Sequence, residues 1–383
     1  MDEGELLAAG FTLGPGEEVL VRATRGFTFY AHRGQARVCV VQGSGAGLRV
    51  VEEGFRETLE WLRLGEDLRD RGVRRVVIVG PVEAGKSTLT VFLANMLGLG
   101  IVETDVGQNE TGLPAFVTYA SPPPRPVLSL EELGLSGALF VGHVSAERVM
   151  WGVVVAAAIA ARRLESFVAD TDGFVDGVGV MYKAWLAESM EPDVVVSLAA
   201  PRGLVAALRG RGLEVVEAPR APLPRWRSRG DRRSFRARLW AKLFHSPVRL
   251  VLEDVPLEPL CNYTRSDGAE EVVYLCGREL IVESARRPSD LQARWARPGW
   301  ARGLLAGMRL ADGSDVPAVV ENLDAARGRV IVRAAWRPGS EVRGLRLGWI
   351  RLGENFEEEH LPVEPFPAAV VHGRGSRRRA GRG

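Results

Sequence analysis

One segment of the chain has the residue types and spacing that bind a triphosphate. Gly80–Thr88 reads G-P-V-E-A-G-K-S-T and satisfies the pattern G-x-x-x-x-G-K-[ST]. The β-branched run Val76–Val79 precedes it and a helix-like segment, Ser87–Leu97, follows, which is the context that this pattern needs. The glycines let the backbone approach phosphate oxygens, while amide N–H groups and the positive end of the helix face the anion. We therefore predict a nucleotide site here.

The side chains of this loop have distinct expected tasks. Lys86 would contact the β- and γ-phosphates, and the Ser87 hydroxyl would ligate Mg²⁺. The other residues expected to bind the nucleotide are Gly80, Glu83, Ala84, Gly85 and Thr88. Only three of the 50 basic residues are lysine: Lys86, Lys183 and Lys242. Lysine stands at position 86, where a compact ammonium on a flexible stem suits the phosphates better than a planar guanidinium.

A second candidate site follows the first helix, where Ile101–Gln108 reads I-V-E-T-D-V-G-Q. A carboxylate at the end of a strand beside the phosphate loop can bind Mg²⁺, directly or through water, or accept a proton from an attacking hydroxyl. Asp105 is the preferred candidate and Glu103 the alternative. Gln108 would orient the γ-phosphate or a water. A signalling GTPase is disfavoured, because no N-K-x-D element follows a later strand.

An arginine-rich segment lies between positions 225 and 238. Asp231–Phe244 reads as an amphipathic helix, in which Arg232 and Arg236 are four residues apart and so share a face. Arginines of this kind can clamp a phosphoryl group while charge develops on it. The alternative is a solvated basic helix without a role in chemistry.

The elements that must position these residues form three blocks. From about position 72 to 245, strands alternate with helices, which predicts an α/β fold of the phosphate-loop NTPase type, a mostly parallel sheet with helices on both faces. Short alternating segments on either side predict small N- and C-terminal β-domains. The expected division is 1–64 (β-domain), 65–245 (phosphate-loop domain with the arginine-rich segment), 246–372 (β-domain) and 373–383 (a disordered basic tail). N-terminal strands are predicted at Glu18–Arg22, Phe27–Tyr30 and Ala36–Val41.

Composition limits the class of protein. The chain has 383 residues and a formal net charge of +2, so any affinity for nucleic acid must come from local basic clusters. Its three cysteines form no C-x-x-C pair, which argues against a zinc site or disulfide framework. The longest apolar run, near Val149–Ala161, is short for a membrane span. We expect a cytoplasmic protein without membrane contact.

Taken in order, the motifs resemble those of a known family, the polyribonucleotide 5′-hydroxyl kinases of pre-mRNA cleavage, tRNA splicing and rRNA processing. The phosphate loop is followed by E-T-D-V-G-Q, which is similar to the family's D-x-D-x-G-Q. Phe140–Ser145 resembles the clasp that holds the substrate end, and Asp170–Gly177 resembles a segment that usually carries Cys-Gly-Trp. Arg227, Arg232, Arg236 and Phe244 match the arginine lid.

The resemblance implies transfer of the ATP γ-phosphate to the 5′-hydroxyl of RNA, and of DNA as well, with Mg²⁺. Asp105 would activate the hydroxyl and bind the metal with Ser87, while Gln108 supports the metal–phosphate network. Arg232, Arg236 and Arg227 would close over the γ-phosphate. Phe174 would stack on the terminal base. The residues implied to hold the substrate end are Gly142, His143 and Ser145.

Three differences from the family keep alternatives open, one of which is Ala146, which follows Ser145 where the clasp usually has proline. Phe174 stands where the family usually has Trp, and Glu103 where it has Asp. Because some relatives have lost catalysis, the main alternative is a nucleotide-bound scaffold of an RNA-processing complex, and a small-molecule kinase is a further one. Protein partners in RNA processing are expected in either case.

Overall fold

A computed structural model describes residues 4–21, 28–31, 34–43, 47, 55–221, 229–258, 262–265, 271–276, 279–286, 294–324 and 327–363. The predicted basic tail and Arg227 lie outside these residues. Contacts divide the chain into two units, Met1–Arg229 and Gly230–Gly383. The four-part division made from the sequence stays a prediction. In the described part of the chain, no helix is long and apolar enough to span a membrane.

The first unit is built on a seven-stranded sheet. Its strands and helices are α1 (Phe55–Asp70), β3 (Arg75–Val79), α2 (Lys86–Leu97), β4 (Gly100–Glu103), β5 (Phe116–Ala120), β6 (Gly137–Phe140), α3 (Ala146–Arg163), β7 (Phe167–Asp170), α4 (Val178–Ser189), β8 (Val194–Leu198), α5 (Arg202–Gly210) and β9 (Val215–Ala218). The strand order is β6–β5–β4–β7–β3–β8–β9. Strands β4, β7, β3, β8 and β9 run parallel, and β5 is antiparallel to both neighbours. The predicted mostly parallel α/β fold is confirmed.

Continuous apolar sequence explains why these strands are central. Val76–Val79 and Val194–Val196 are fully buried, as expected for parallel strands covered on both faces. Helix α1 packs on α2, while α3, α4 and α5 form a second contacting group. The core beside the phosphate loop includes Trp61, Leu93 and Ile101.

The N-terminal segment differs in detail from the prediction. Its strands are β1 (Leu6–Ala8) and β2 (Phe11–Leu13), which pair as an antiparallel hairpin. Residues 18–21 and 36–41 are not in strands, so two predicted strand positions are wrong, and Tyr30 forms an isolated β-bridge with Leu7. The alternation of apolar and polar residues there does not bury one face, since Val19, Val38 and Val40 are exposed.

The second unit begins with a helix and continues as β-structure. Its elements are α6 (Arg229–Leu243), β10 (Val248–Glu253), β11 (Leu257–Glu258), β12 (Asn262–Arg265), β13 (Val272–Cys276), β14 (Glu279–Glu283), β15 (Arg294–Ala296), β16 (Leu304–Leu310), β17 (Asp315–Asp324), β18 (Arg329–Ala334), β19 (Val342–Leu352) and β20 (Glu358–His360). One sheet has the order β10–β18–β17–β16–β19–β11, with β20 on β19, and a second has the order β12–β13–β14–β15. The predicted C-terminal β-structure is confirmed.

Candidate active site

The phosphate loop spans Gly80–Gly85, between the end of β3 and the start of α2. Gly85 has φ +96°, a conformation that favours glycine, and caps α2 without a side-chain hydrogen bond, so the first amides of the helix are open to a ligand. A Cβ at position 80 would lie 2.4 Å from the Leu198 carbonyl oxygen at the end of β8. The Ala84 carbonyl accepts a 3.0 Å hydrogen bond from the Ala221 N–H. Neighbouring backbone therefore fixes the loop on both sides.

Lys86 and Ser87 turn toward the interior of this loop. The Lys86 side chain is buried, and its Nζ donates to the Pro81 carbonyl at 2.9 Å, across the loop. The Ser87 hydroxyl lies near the Asp170 carboxylate and lowers its pKa. Thr88 is exposed, and Glu83 has φ +62° at the tip of the loop. The Lys86 ammonium therefore lies on the inner side of the loop, where it could contact a bound phosphate chain.

Asp105 lies on the loop after β4. Its Oδ1 accepts the N–H groups of Gly107 at 3.0 Å and Gln108 at 2.8 Å, which fixes the carboxylate. Its Oδ2 accepts no hydrogen bond from a residue that the structure describes. Burial raises the pKa of Asp105, the charge of Asp172 raises it further, and the Gln108 N–H and the Lys86 charge counteract both. Asp105 and Lys86 are therefore close enough to interact electrostatically.

Glu103, the alternative candidate, faces elsewhere. It is fully buried, and its two carboxylate oxygens accept the N–H groups of Glu110 at 2.6 Å and Thr111 at 2.9 Å. Burial and the nearby Asp170 hold its pKa well above the usual range. The geometry gives Glu103 the task of bracing the loop that carries Asp105.

The sequence analysis did not single out Asp170, the last residue of β7. It is 1% exposed, and its Oδ1 makes no hydrogen bond to any described residue. Burial raises its pKa to about 7, although the Lys86 charge and the nearby Ser87 hydroxyl act in the opposite direction. Its signal in the sequence was an acidic residue ending the strand that lies beside β3 in the parallel sheet.

These oxygens fit a magnesium ion. Magnesium is usually held by one or two carboxylates, phosphate oxygens and water rather than by a full protein cage. Asp170 Oδ1 is a buried oxygen without a hydrogen-bond partner among the described residues, near the Ser87 hydroxyl and electrostatically coupled to Asp105. Among the described residues, no group of three or more His, Cys, Asp or Glu is arranged as a complete metal site.

The predicted clasp lies against the Asp105 loop. Gly142 has φ +87°, and the buried His143 accepts the Ser145 N–H on its Nδ1 at 2.9 Å. Ser145 directly precedes α3. A Cβ at Gly107 would come within 2.6 Å of the Val144 carbonyl oxygen. The clasp and the loop of the expected base are therefore in direct contact.

Phe174 is half-buried on the loop between β7 and α4. Its ring lies 6.2 Å from the Tyr182 ring, and a Cβ at Gly179 would touch its carbonyl oxygen at 2.7 Å. A ring that is only half covered can still stack on a base, so its predicted role stays open.

The lid arginines lie in the second unit. Arg232 and Arg236 are on α6, which confirms the predicted helix nearly residue for residue. Arg236 pairs with Glu358 at 2.7 Å within that unit. Their approach to the phosphate loop stays a prediction.

Comparison with known proteins agrees with this site. The family model described as "mRNA cleavage and polyadenylation factor CLP1 P-loop" matches residues 80–246. A polyribonucleotide 5′-hydroxyl-kinase from Thermococcus kodakarensis is 33% identical over 318 residues, which cover 74% of this chain and 89% of the relative. This chain belongs to the polyribonucleotide 5′-hydroxyl kinase family. A further member, from Pyrococcus furiosus, is 25% identical over 316 residues and has the same coverage of both chains.

The fold of this family member also resembles a solved structure. The complex of Clp1p with Pcf11p contains a chain that matches with a TM-score of 0.54 and 12% identity over 91% of this chain and 92% of that one. At this identity the likeness concerns the fold alone. It covers both units of the kinase-family chain rather than only the phosphate-loop domain.

Proposed function

We propose that the protein is an ATP-dependent polyribonucleotide 5′-hydroxyl kinase. The observation that carries this proposal is the placement of Lys86, Asp105 and Asp170 around one phosphate loop, in a chain whose relatives bear that name. The reaction forms a bond between the RNA 5′-oxygen and the γ-phosphorus. It breaks the bond from that phosphorus to the β–γ bridging oxygen, and ADP leaves.

The donor side of the reaction falls to the phosphate loop. The amides at the start of α2 and the ammonium of Lys86 neutralise phosphate charge. Gly80, Glu83, Ala84, Gly85 and Thr88 shape the loop, and Gln108 adds a polar side chain near the γ-phosphate. Ser87, Asp105 and Asp170 would hold Mg²⁺, which supplies further charge neutralisation on the phosphates when bound.

The acceptor side falls to Asp105, the clasp and Phe174. Asp105 Oδ2 takes the proton of the attacking hydroxyl, while its Oδ1 stays fixed by two amide donors. Gly142, His143 and Ser145 hold the substrate end, and Phe174 stacks on the first base. Stacking tolerates any base and needs no 2′-hydroxyl, so DNA ends are expected to react as well.

The arginines of α6 stabilise the charge that develops on the transferring phosphoryl group. Arg232, with Arg236 and Arg227, neutralises the γ-phosphoryl oxygens as the bonds exchange. Action with protein partners in RNA processing and a cytoplasmic location are parts of the same proposal.

The test is transfer of labelled γ-phosphate from ATP to a short 5′-hydroxyl RNA with Mg²⁺. Parallel reactions contain 5′-hydroxyl DNA, 5′-phosphorylated RNA or a free nucleoside. Asp105→Asn should abolish labelling, whereas Asp176→Asn, an exposed carboxylate elsewhere in the domain, should not. Bound nucleotide without label on any acceptor would indicate the scaffold instead. Label on the nucleoside alone would indicate a small-molecule kinase.

A further inference from the structure

A buried charge pair lies beside the loop that carries Phe174. Lys183 Nζ and Asp172 Oδ2 are 2.7 Å apart, and the two side chains are 0% and 9% exposed. Lys183 belongs to α4, and Asp172 belongs to the loop that precedes it. Ions withdrawn from water in this way contribute little net stability, because desolvation offsets their attraction. Such a pair calls for an explanation other than stability.

The same carboxylate connects the Phe174 loop to the helix. Asp172 Oδ1 accepts the Phe174 N–H at 2.8 Å, and Oδ2 accepts the Tyr182 hydroxyl at 2.8 Å. Lys183 Nζ also lies 4.7 Å from the centre of the Tyr182 ring. Two successive residues of α4 therefore fix one carboxylate, and that carboxylate fixes the backbone of Phe174.

The loop held in this way also packs on the phosphate loop. A Cβ at Gly173 would lie 2.4 Å from Val82 Cγ2 and 2.5 Å from the Val82 nitrogen, so no side chain separates the two loops. Two residues earlier, the Thr171 hydroxyl donates to the Ile78 carbonyl of β3 at 2.8 Å. The loop that carries Phe174 and the loop proposed to carry ATP are thus in contact.

We propose that Asp172 and Lys183 are positioning residues that hold the Phe174 loop against the phosphate loop, so that the acceptor end meets the γ-phosphate. This inference rests on the proposed function. Neither residue touches the reacting atoms; the charge of Asp172 raises the pKa of Asp105, and the positioning proposed here acts through Phe174 and Val82. The lysine itself is notable in a chain with only three, because this position is fully buried and a planar guanidinium does not replace a compact ammonium there without change.

The experiment measures kcat, the KM for RNA and the KM for ATP in wild type, Lys183→Met, Asp172→Asn and the double variant. Anisotropy of a 3′-fluorescein 5′-hydroxyl RNA measures binding without turnover. Each single variant leaves a buried partner without its counterpart, and kcat/KM for RNA should fall on the order of tenfold to a hundredfold. The KM for ATP should stay within about twofold, since Lys86 and α2 are untouched. The double variant, which contains no unpaired charge, should recover part of the loss.

Matched controls remove a charge elsewhere. Asp176→Asn alters an exposed carboxylate of the same loop, and Lys242→Met alters an exposed lysine of α6; both should behave as wild type. If Lys183→Met does not fold, Asp172→Glu replaces it, because the ion pair is kept and the added methylene displaces the loop. Asp172→Glu should then raise the KM for RNA and leave the KM for ATP unchanged.

The outcomes separate this inference from the proposed function. A wild-type protein that labels no RNA would overturn both. An active wild type whose folded variants, Asp172→Glu included, keep the wild-type KM and binding for RNA would overturn the inference alone. Variants with a lower melting temperature but unchanged kinetics below it would likewise assign the pair a structural role and overturn the inference.

Discussion

The guanidinium of Arg236 forms a bidentate ion pair with the carboxylate of Glu358, with Nε at 2.8 Å and Nη2 at 2.7 Å from its two oxygens. Trp240 Nε1 donates to the same carboxylate at 2.9 Å, and Arg233 donates to the Glu358 backbone carbonyl at 2.9 Å. Three side chains of α6 thus converge on one residue of β20. Arg236 is therefore an anchor of α6 in this unit, and contact with a γ-phosphate would require it to exchange partners.

Glu358→Gln should destabilise the second unit in a pH-dependent way. Burial alone would raise the pKa of Glu358, but the hydrogen bonds from Arg236, His360 and Trp240 outweigh it and lower the pKa from 4.5 to about 2. The carboxylate therefore contributes stability that is present above pH 4.5 and is lost as the pH falls through about 2. The shift corresponds to about 3 kcal/mol at neutral pH.

Urea denaturation at pH 7 and at pH 3 measures this difference. The gap in unfolding free energy between wild type and Glu358→Gln should be smaller at the lower pH. Glu354→Gln, a change at an exposed carboxylate, serves as the control. An equal difference in unfolding free energy at pH 7 and at pH 3 would show that the ion pair is not the source of the stability.

Substitutions of the two lid arginines, Arg232 and Arg236, should have different effects on kcat and on melting temperature. Arg232→Ala should lower kcat on the order of 10³-fold, as loss of an arginine clamp does, with little change in melting temperature. Arg236→Ala should lower both kcat and the melting temperature, because it leaves the buried Glu358 without its main partner. Single-turnover phosphoryl transfer and thermal unfolding measure the two effects, with the exposed Arg238→Ala as control. Equal loss of stability in both variants would contradict this assignment.

Substitutions of Asp105 and Glu103 should likewise separate, into a loss of kcat and a loss of stability. Asp105→Asn removes the proton acceptor and should lower kcat by at least about 10²-fold. Glu103→Gln keeps one oxygen acceptor but presents an amide group to a backbone N–H, so it should chiefly reduce stability. Phosphoryl transfer by both variants is measured at saturating ATP and RNA, so that the rate reports kcat rather than binding, and thermal unfolding measures stability. A Glu103→Gln enzyme as inactive as Asp105→Asn, yet fully folded, would move the catalytic role to Glu103.

Much of this site could be predicted from the sequence because its signals are local. The phosphate loop, its flanking strand and helix, and the acidic turn at Asp105 are each specified within about a dozen residues, and the structure places them together. Helix α6 was also predicted from periodicity. The repeated strand–helix alternation was enough to predict the parallel sheet.

The missed features depend on residues far apart in the chain. Asp170 joins the site only because β7 lies between β4 and β3, an order that no local pattern specifies. Strand β5 is antiparallel within an otherwise parallel series, so the alternation rule did not predict it. Arg236 was expected to face phosphate, and its pairing with Glu358, 122 residues later, depends on how β20 returns to α6.

Gly80→Ala should impair nucleotide binding without any change in a polar group. The added Cβ would lie 2.4 Å from the Leu198 carbonyl oxygen, which is backbone and cannot rotate away, so β3 and β8 must separate at the loop. We expect a loss of about 1–3 kcal/mol in stability and weaker binding of a fluorescent ATP analogue. Gly203→Ala is the matched control, since its Cβ would meet nothing within 4 Å and it lies in α5. There alanine should raise stability by up to about 1 kcal/mol, because glycine is the poorer helix former. Unchanged affinity in Gly80→Ala would mean that the loop tolerates displacement from β8 and that the close approach does not hold the loop in its binding conformation.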